Sequence, residues 1–137
     1  MTVTPETIPP TEQTISGISE PVIYRYFETL NSTDFQATAA LFAIDGVMHP
    51  PFDEDQVGGE AIANYLQAEA KGMKFHPRQG IFETLEDGTH YKITGKVQTP
   101  VFSVNVNWLF VLNAQSEILS VKIKLLASPQ ELLGMKQ

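Results

Sequence analysis

Two periods divide this chain. From about Ser19 to Gly72 apolar residues recur at helical spacing, and from Phe75 onward they alternate, the marks of amphipathic helices and half-buried strands respectively. In PVIYRYFETLN the residues Val22, Ile23, Tyr26, Phe27 and Leu30 form one stripe, with Arg25 and Glu28 facing water. This helix is predicted to start near Ser19 or Glu20, with Pro21 in the first turn, where a missing N–H does no harm. NSTDFQATAALFAIDG repeats the pattern: a Ser32 or Thr33 cap, Phe35, Ala39, Leu41 and Phe42 inward, and a stop at the turn Asp45-Gly46. A short extended piece, VMHPPF, leads to a third helix from about Gly59 to Lys71, with Ile62, Tyr65, Leu66 and Ala70 on one face and Gly72 as its stop.

Four successive strands are then predicted in FHPRQGIFETLEDG, HYKITGKVQTP, KVQTPVFSVNVNWLFVLN and EILSVKIKLLAS. Turn residues at Glu86-Asp87-Gly88 and Asn113-Ala114-Gln115-Ser116 separate them. Val104, Val106, Trp108, Phe110 and Leu112 alternate onto one face, and Leu119, Val121, Ile123 and Leu125 are the matching set in the last strand. PQELLGMK closes the chain as a short helix started by Ser128-Pro129. Three helices followed by an antiparallel meander define an α+β protein whose helices pack on the concave side of one bent sheet. Residues 1–16 hold three of the nine prolines and too little apolar surface to offset the entropy of ordering. They read as a flexible lead-in to a single domain over 17–137.

Charge narrows the function. A formal net charge of −7 repels phosphate backbones on average, so nucleic acid is not an expected partner. With no cysteine, disulfides, thiolate metal sites and thiol nucleophiles drop out. The N-terminus has neither a basic start nor an apolar run, and the chain reads as soluble and cytoplasmic.

Catalytic signals are sparse: there is no paired-histidine metal spacing, Gly-rich phosphate loop or nucleophile elbow. His49 could serve as a general base oriented by Asp45, or be a plain loop histidine. His76 and His90 flank strand ends, and Asp53-Glu54-Asp55 reads as a solvated loop. Tyr26 and the single tryptophan, Trp108, are more informative together. Each joins an apolar body to one neutral hydrogen-bond donor, and the pattern sets them on facing surfaces. Two such donors suit an uncharged ligand with a carbonyl oxygen; either residue alone would equally suit ordinary core packing.

The stretches PPTEQT, YFETLNSTDF, LFAIDGVMHPPF, EAIANYLQAEAKGMK, TGKVQTP and LLASPQELL resemble the C-terminal domain of the cyanobacterial orange carotenoid proteins and its free-standing homologues. The resemblance implies a fold like nuclear transport factor 2, a cone of curved sheet closed by helices. It also implies a carrier of a ketocarotenoid, of canthaxanthin or echinenone type, with a photoprotective or pigment-delivery role and no enzymatic one. Tyr26 and Trp108 match the residues that donate to the pigment's keto oxygen. Leu30, Phe42, Ala70, Met73, Val97, Thr99, Pro100 and Ile123 match the lining of the ring pocket. Glu69 matches a carboxylate that pairs with an arginine of the helical domain in the two-domain protein, and Val101 stands at an interface position where the family carries tryptophan. The hairpin from there to Trp108 is shorter than the family's. The free-standing homologues imply a homodimer that shares pigment, exchanges it with helical carotenoid proteins or membranes, and touches thylakoid or other membranes transiently. Two other classes remain beside this reading: an isomerase, dehydratase or cyclase using His49, Asp45 or Tyr26, and a dimeric scaffold that binds no pigment.

Overall fold

The computed structural model describes residues 14–126. The lead-in before them and the predicted C-terminal helix, PQELLGMK, lie outside the described residues. Three helices precede most of a six-stranded sheet: α1 (Pro21–Asn31), α2 (Phe35–Ala39), β1 (Phe42–His49), β2 (Gln56–Val57), α3 (Gly59–Glu69), β3 (Lys74–Leu85), β4 (Gly88–Gln98), β5 (Ser103–Leu112) and β6 (Ile118–Leu126). Strand order is β2-β1-β6-β5-β4-β3, with β1 and β6 parallel and every other pair antiparallel. None of the described helices is long and apolar enough to cross a membrane.

Helix α1 starts where the sequence indicates. Glu20 is its N-cap and accepts from the Val22 N–H at 3.2 Å, with Pro21 behind it. Its buried stripe is Ile23, Tyr26, Phe27 and Leu30. Asn31, at the other end, is tied to β3: its amide donates to the Phe75 carbonyl at 2.9 Å and accepts from the Phe75 N–H at 2.7 Å. The helix therefore has little freedom to slide over the sheet.

Helix α2 departs from expectation. Its cap is Asp34, not Ser32 or Thr33, accepting from the Ala37 N–H at 3.2 Å. It ends at Ala39 because the next residues pair with the sheet: the Ile118 N–H bonds the Leu41 carbonyl at 3.0 Å, and β1 begins at Phe42. The expected Asp45-Gly46 turn is instead a bulge. Phe42 pairs with Ile118 and Val47 with Ser120, so several residues of β1 face few of β6. Gly46 permits this, since a Cβ there would lie 2.7 Å from the Ile118 carbonyl oxygen.

The inner face of β5 is as the alternation predicts, with Val106, Trp108, Phe110 and Leu112 buried. In β6 the expected Leu119 gives way to Ile118 in the core. The register slips between Val111 and Leu112, and Leu119 is the extra residue between two paired positions. Sequence alternation carries no mark of such a slip.

Order also begins earlier than residue 17. Ile15 is 1% exposed, and Ser16 bridges to β3, donating to the Arg78 carbonyl and accepting from the Gly80 N–H, both at 2.9 Å. The Tyr24 hydroxyl, on α1, accepts from the Ile15 N–H at 3.0 Å and donates to the Ile18 carbonyl at 2.7 Å. Replacing Tyr24 with Phe strands these backbone groups and should cost about 1 kcal/mol of stability, read as a lower urea midpoint. An unchanged midpoint would mean that Ile15 and Ile18 hold this segment without the hydroxyl.

Candidate functional site

Between α1, α3 and the inner sheet face lies a cavity of about 270 Å³. Alternation along β5 directs Val104, Val106 and Trp108 into it; α1 contributes Tyr26 and Leu30, and the end of α3 contributes Leu66, Glu69 and Ala70. Met73, Val97, Thr99 and Ile123 also line it. Of the residues expected at the pocket, two do not. Phe42, the first residue of β1, is buried beside the Tyr26 ring, centroids 6.4 Å apart, and does not line the cavity. Pro100 is exposed in the β4–β5 turn, which Thr99 organises by accepting from the N–H groups of Val101 at 3.2 Å and Phe102 at 3.0 Å. Val101 sits on the same turn and is also exposed.

The wall also includes residues that the sequence did not assign to a pocket, among them Met48, Phe52, Asp53, Leu66, Phe102, Val104 and Val106. Val104 and Val106 share the face of Trp108, and Leu66 shares the stripe of α3, so periodicity could have found them. Phe52 and Asp53 come from an aperiodic loop that offers no such signal.

Tyr26 and Trp108 are drawn into one aromatic cluster by Phe27. Its ring meets Tyr26 edge-on at 5.1 Å and Trp108 at 4.7 Å between centroids. Phe110 also packs edge-on against Tyr26 at 4.9 Å and against Phe27 at 6.1 Å, so the three rings form a triangle. Both residues are almost wholly buried. Among the described residues, the Tyr26 hydroxyl is the buried side-chain polar atom that lacks a hydrogen-bond partner. Burial raises its pKa well above the ordinary tyrosine value, because water no longer stabilises the phenolate. The group is held as a neutral donor.

Polarity is concentrated at the mouth. The Tyr65 hydroxyl donates to Asp53 Oδ2 at 3.0 Å. Burial foremost, then the bond and charge of Asp53, raise the Tyr65 pKa. Glu69 is exposed at the same rim. The candidate base His49 lies outside the cavity, its Nδ1 2.8 Å from Asp55, and Asp45 is exposed on the β1 bulge. An acid–base pair of His49 and Asp45 therefore has no access to a substrate held beside Trp108.

A single cone of curved sheet and helices with an apolar interior places the chain in a family: residues 18–125 match the nuclear transport factor 2 (NTF2) domain, and the protein belongs to it. Within that family it is similar to the C-terminal domain of orange carotenoid-binding proteins. Identity is 39% to that of Limnospira maxima, over 93% of this chain and 44% of the relative, and 40% to that of Synechocystis sp., over 90% and 41%. The solved orange carotenoid protein of Anabaena (Nostoc) sp. PCC 7120, binding canthaxanthin, superposes with a TM-score of 0.81 at 41% identity, covering 90% of this chain and 41% of that one. The chain thus spans less than half the length of these relatives. Cyclase-like proteins below 25% identity share the fold alone.

An unpaired buried hydroxyl is a cost to the folded chain. Tyr26→Phe should stabilise the protein by about 1 kcal/mol, measured by chemical denaturation near neutral pH. The gain should widen above about pH 10, where an unfolded tyrosine ionises and folded Tyr26 does not. The raised folded pKa contributes stability below the unfolded value and loses it as pH rises. A variant less stable than the parent at both pH values would show that the hydroxyl has a partner after all.

Proposed function

We propose that this protein binds a ketocarotenoid of canthaxanthin or echinenone type as a carrier, enclosing one ring of the pigment, with Tyr26 and Trp108 donating to its keto oxygen. The observation that carries this reading is the orphaned Tyr26 hydroxyl in a mostly apolar wall whose charged groups, Asp53 and Glu69, gather at the mouth. Its neutral state suits an uncharged acceptor and excludes none of the oily surface around it. Leu30, Ala70, Met73, Val97 and Ile123 would surround the ring, and Thr99 would stand near the mouth. Similarity to orange carotenoid-binding proteins over at least 90% of the chain supports the same ligand class.

Size bears on assembly. At about 270 Å³ the cavity falls just below the roughly 300–1,000 Å³ typical of pockets that bury a whole drug-sized ligand. A long polyene would project through the mouth, where Phe52 is 84% and Phe102 59% exposed. A second copy placed mouth to mouth would cover the projecting half, with Glu69 and Val101 at the seam, and would give a homodimer sharing one pigment. Release to a helical carotenoid protein or a membrane then requires the mouth to open. Burial would supply most of the affinity, at about 25 cal/mol per Å² of apolar area. Two hydrogen bonds at about 1 kcal/mol each would fix orientation and colour.

Expression in a carotenoid-producing bacterial strain should yield a coloured protein whose apparent mass in gel filtration doubles on loading. Combining Tyr26→Phe with Trp108→Phe should shift the visible absorption or weaken retention. A coloured double variant with the parent's spectrum would remove these two residues from contact with the keto group, and a colourless parent would remove the pigment.

A further inference from the structure

The mouth of the cavity is framed on one side by a loop that the fold holds only lightly. β1 and β2 form a hairpin in which Val47 pairs with Val57 and Met48 with Gln56, and residues 50–55 connect them. Pro50 is buried and marks the fixed end, whereas Pro51 and the residues through Asp55 are exposed. Among the described residues, no backbone hydrogen bond of a turn or loop involves residues 50–55. Side-chain bonds hold the segment instead. His49 Nδ1 lies 2.8 Å from Asp55 Oδ1 and closes the base of the loop, and the Tyr65 hydroxyl of α3 donates to Asp53 Oδ2 at 3.0 Å and ties down its tip. A third, from Gln56 Nε2 to the Glu54 carbonyl at 2.9 Å, stays within the hairpin. Pro51, Phe52, Asp53 and Tyr65 all line the cavity, so the bond between loop and helix is part of the wall itself.

We infer that residues 50–55 are a lid over the cavity mouth, closed when they lie against Tyr65, and that the Tyr65–Asp53 bond is the latch that sets how often the mouth opens. Segments with few buried apolar contacts and few backbone bonds are the ones that open locally at low cost, and lids of this kind commonly set the rate of ligand passage. Phe52 gives the lid an apolar inner surface: it is 84% exposed yet belongs to the cavity wall, so little packing is lost when it swings away. Each of the two adjacent prolines fixes its own φ, so the loop turns as a flap beyond Pro50 rather than loosening as a coil. Burial first, then Asp53 and Glu69, keep the Tyr65 hydroxyl protonated, and a hydroxyl donating to a carboxylate makes one of the stronger hydrogen bonds. His49–Asp55 joins the two ends of the loop and leaves its tip to the latch. The inference deepens the carrier reading by giving the same site a gate, and it rests on that reading for the identity of the ligand that passes.

The single tryptophan makes the gate measurable without a pigment. Trp108 is 1% exposed and lines the cavity, so a small neutral quencher such as acrylamide reaches its indole only when the mouth opens. The full chain, produced in a host that makes no carotenoid, is titrated with acrylamide, and the quenching rate constant is read from fluorescence lifetimes. Tyr65→Phe should raise that constant about fivefold, the loss of one hydrogen bond expressed as a population. Asp53→Ala should do the same, and Asp53→Asn, which keeps an acceptor oxygen, should raise it less. Tyr65→Phe combined with Asp53→Ala should exceed neither single change, because both remove the same bond. Tyr24→Phe is the control: it removes a bonded hydroxyl outside the cavity wall and should leave quenching at the parent level. The emission maximum and urea midpoint verify that each variant is folded. A parent quenched as readily as free tryptophan, quenching unchanged in Tyr65→Phe or raised equally by Tyr24→Phe, or an additive double variant overturns the latch. A chain that stays colourless in a carotenoid-producing strain would remove the pigment and leave the quenching results standing, so the two readings fail separately.

Discussion

A phenolic O–H taken out of water and left without an acceptor opposes folding by about 1–3 kcal/mol, and the architecture around Tyr26 is arranged so that this cost cannot be relaxed away. The ring is held edge-on against Phe27 and Phe110, which also contact each other. Rotating the hydroxyl toward water would require the helix to move. That helix is fixed at its C-terminal end by the two Asn31–Phe75 bonds and near its start by the Tyr24 contacts with Ile15 and Ile18. Rigidity here is what lets an unsatisfied donor persist, and a persistent donor is what a cavity needs in order to prefer a carbonyl over plain hydrocarbon.

The cavity itself follows from how the sheet and helices are offset. The β5 alternation carries Val104, Val106 and Trp108 along one line, but α1 covers only part of it, and Tyr26 and Phe27 fill the deeper part of the core. Toward the mouth the facing side chains become small or distant: Ala70 ends α3, and Thr99 closes β4 with its hydroxyl engaged in the turn rather than in the interior. Fewer atoms face one another, so space remains. The same offset explains the chemical gradient of the pocket, with neutral donors inside and Tyr65–Asp53 and Glu69 at the rim. A charged ligand would have to leave that polar rim and lose its hydration against an apolar wall, which costs far more than an uncharged ligand pays.

Much of this was legible in the sequence because it depends on periodicity. The α1 stripe put Tyr26 inside, the β5 alternation put Trp108 on the facing surface, and both statements need only the spacings 3.6 and 2. What periodicity cannot express is an irregular pairing. The β1 bulge at Gly46 lies in a strand made of residues that read as helix and turn. The slip beside Leu112 exchanged Ile118 for Leu119 in the core. Pro100 and Phe102 exchanged places for a similar reason: adjacent turn residues point differently, and only the hydrogen bonds of Thr99 decide which side chain meets the cavity. The loop bearing Phe52 and Asp53 has no period at all, and its contribution to the mouth became visible only through the Tyr65–Asp53 bond.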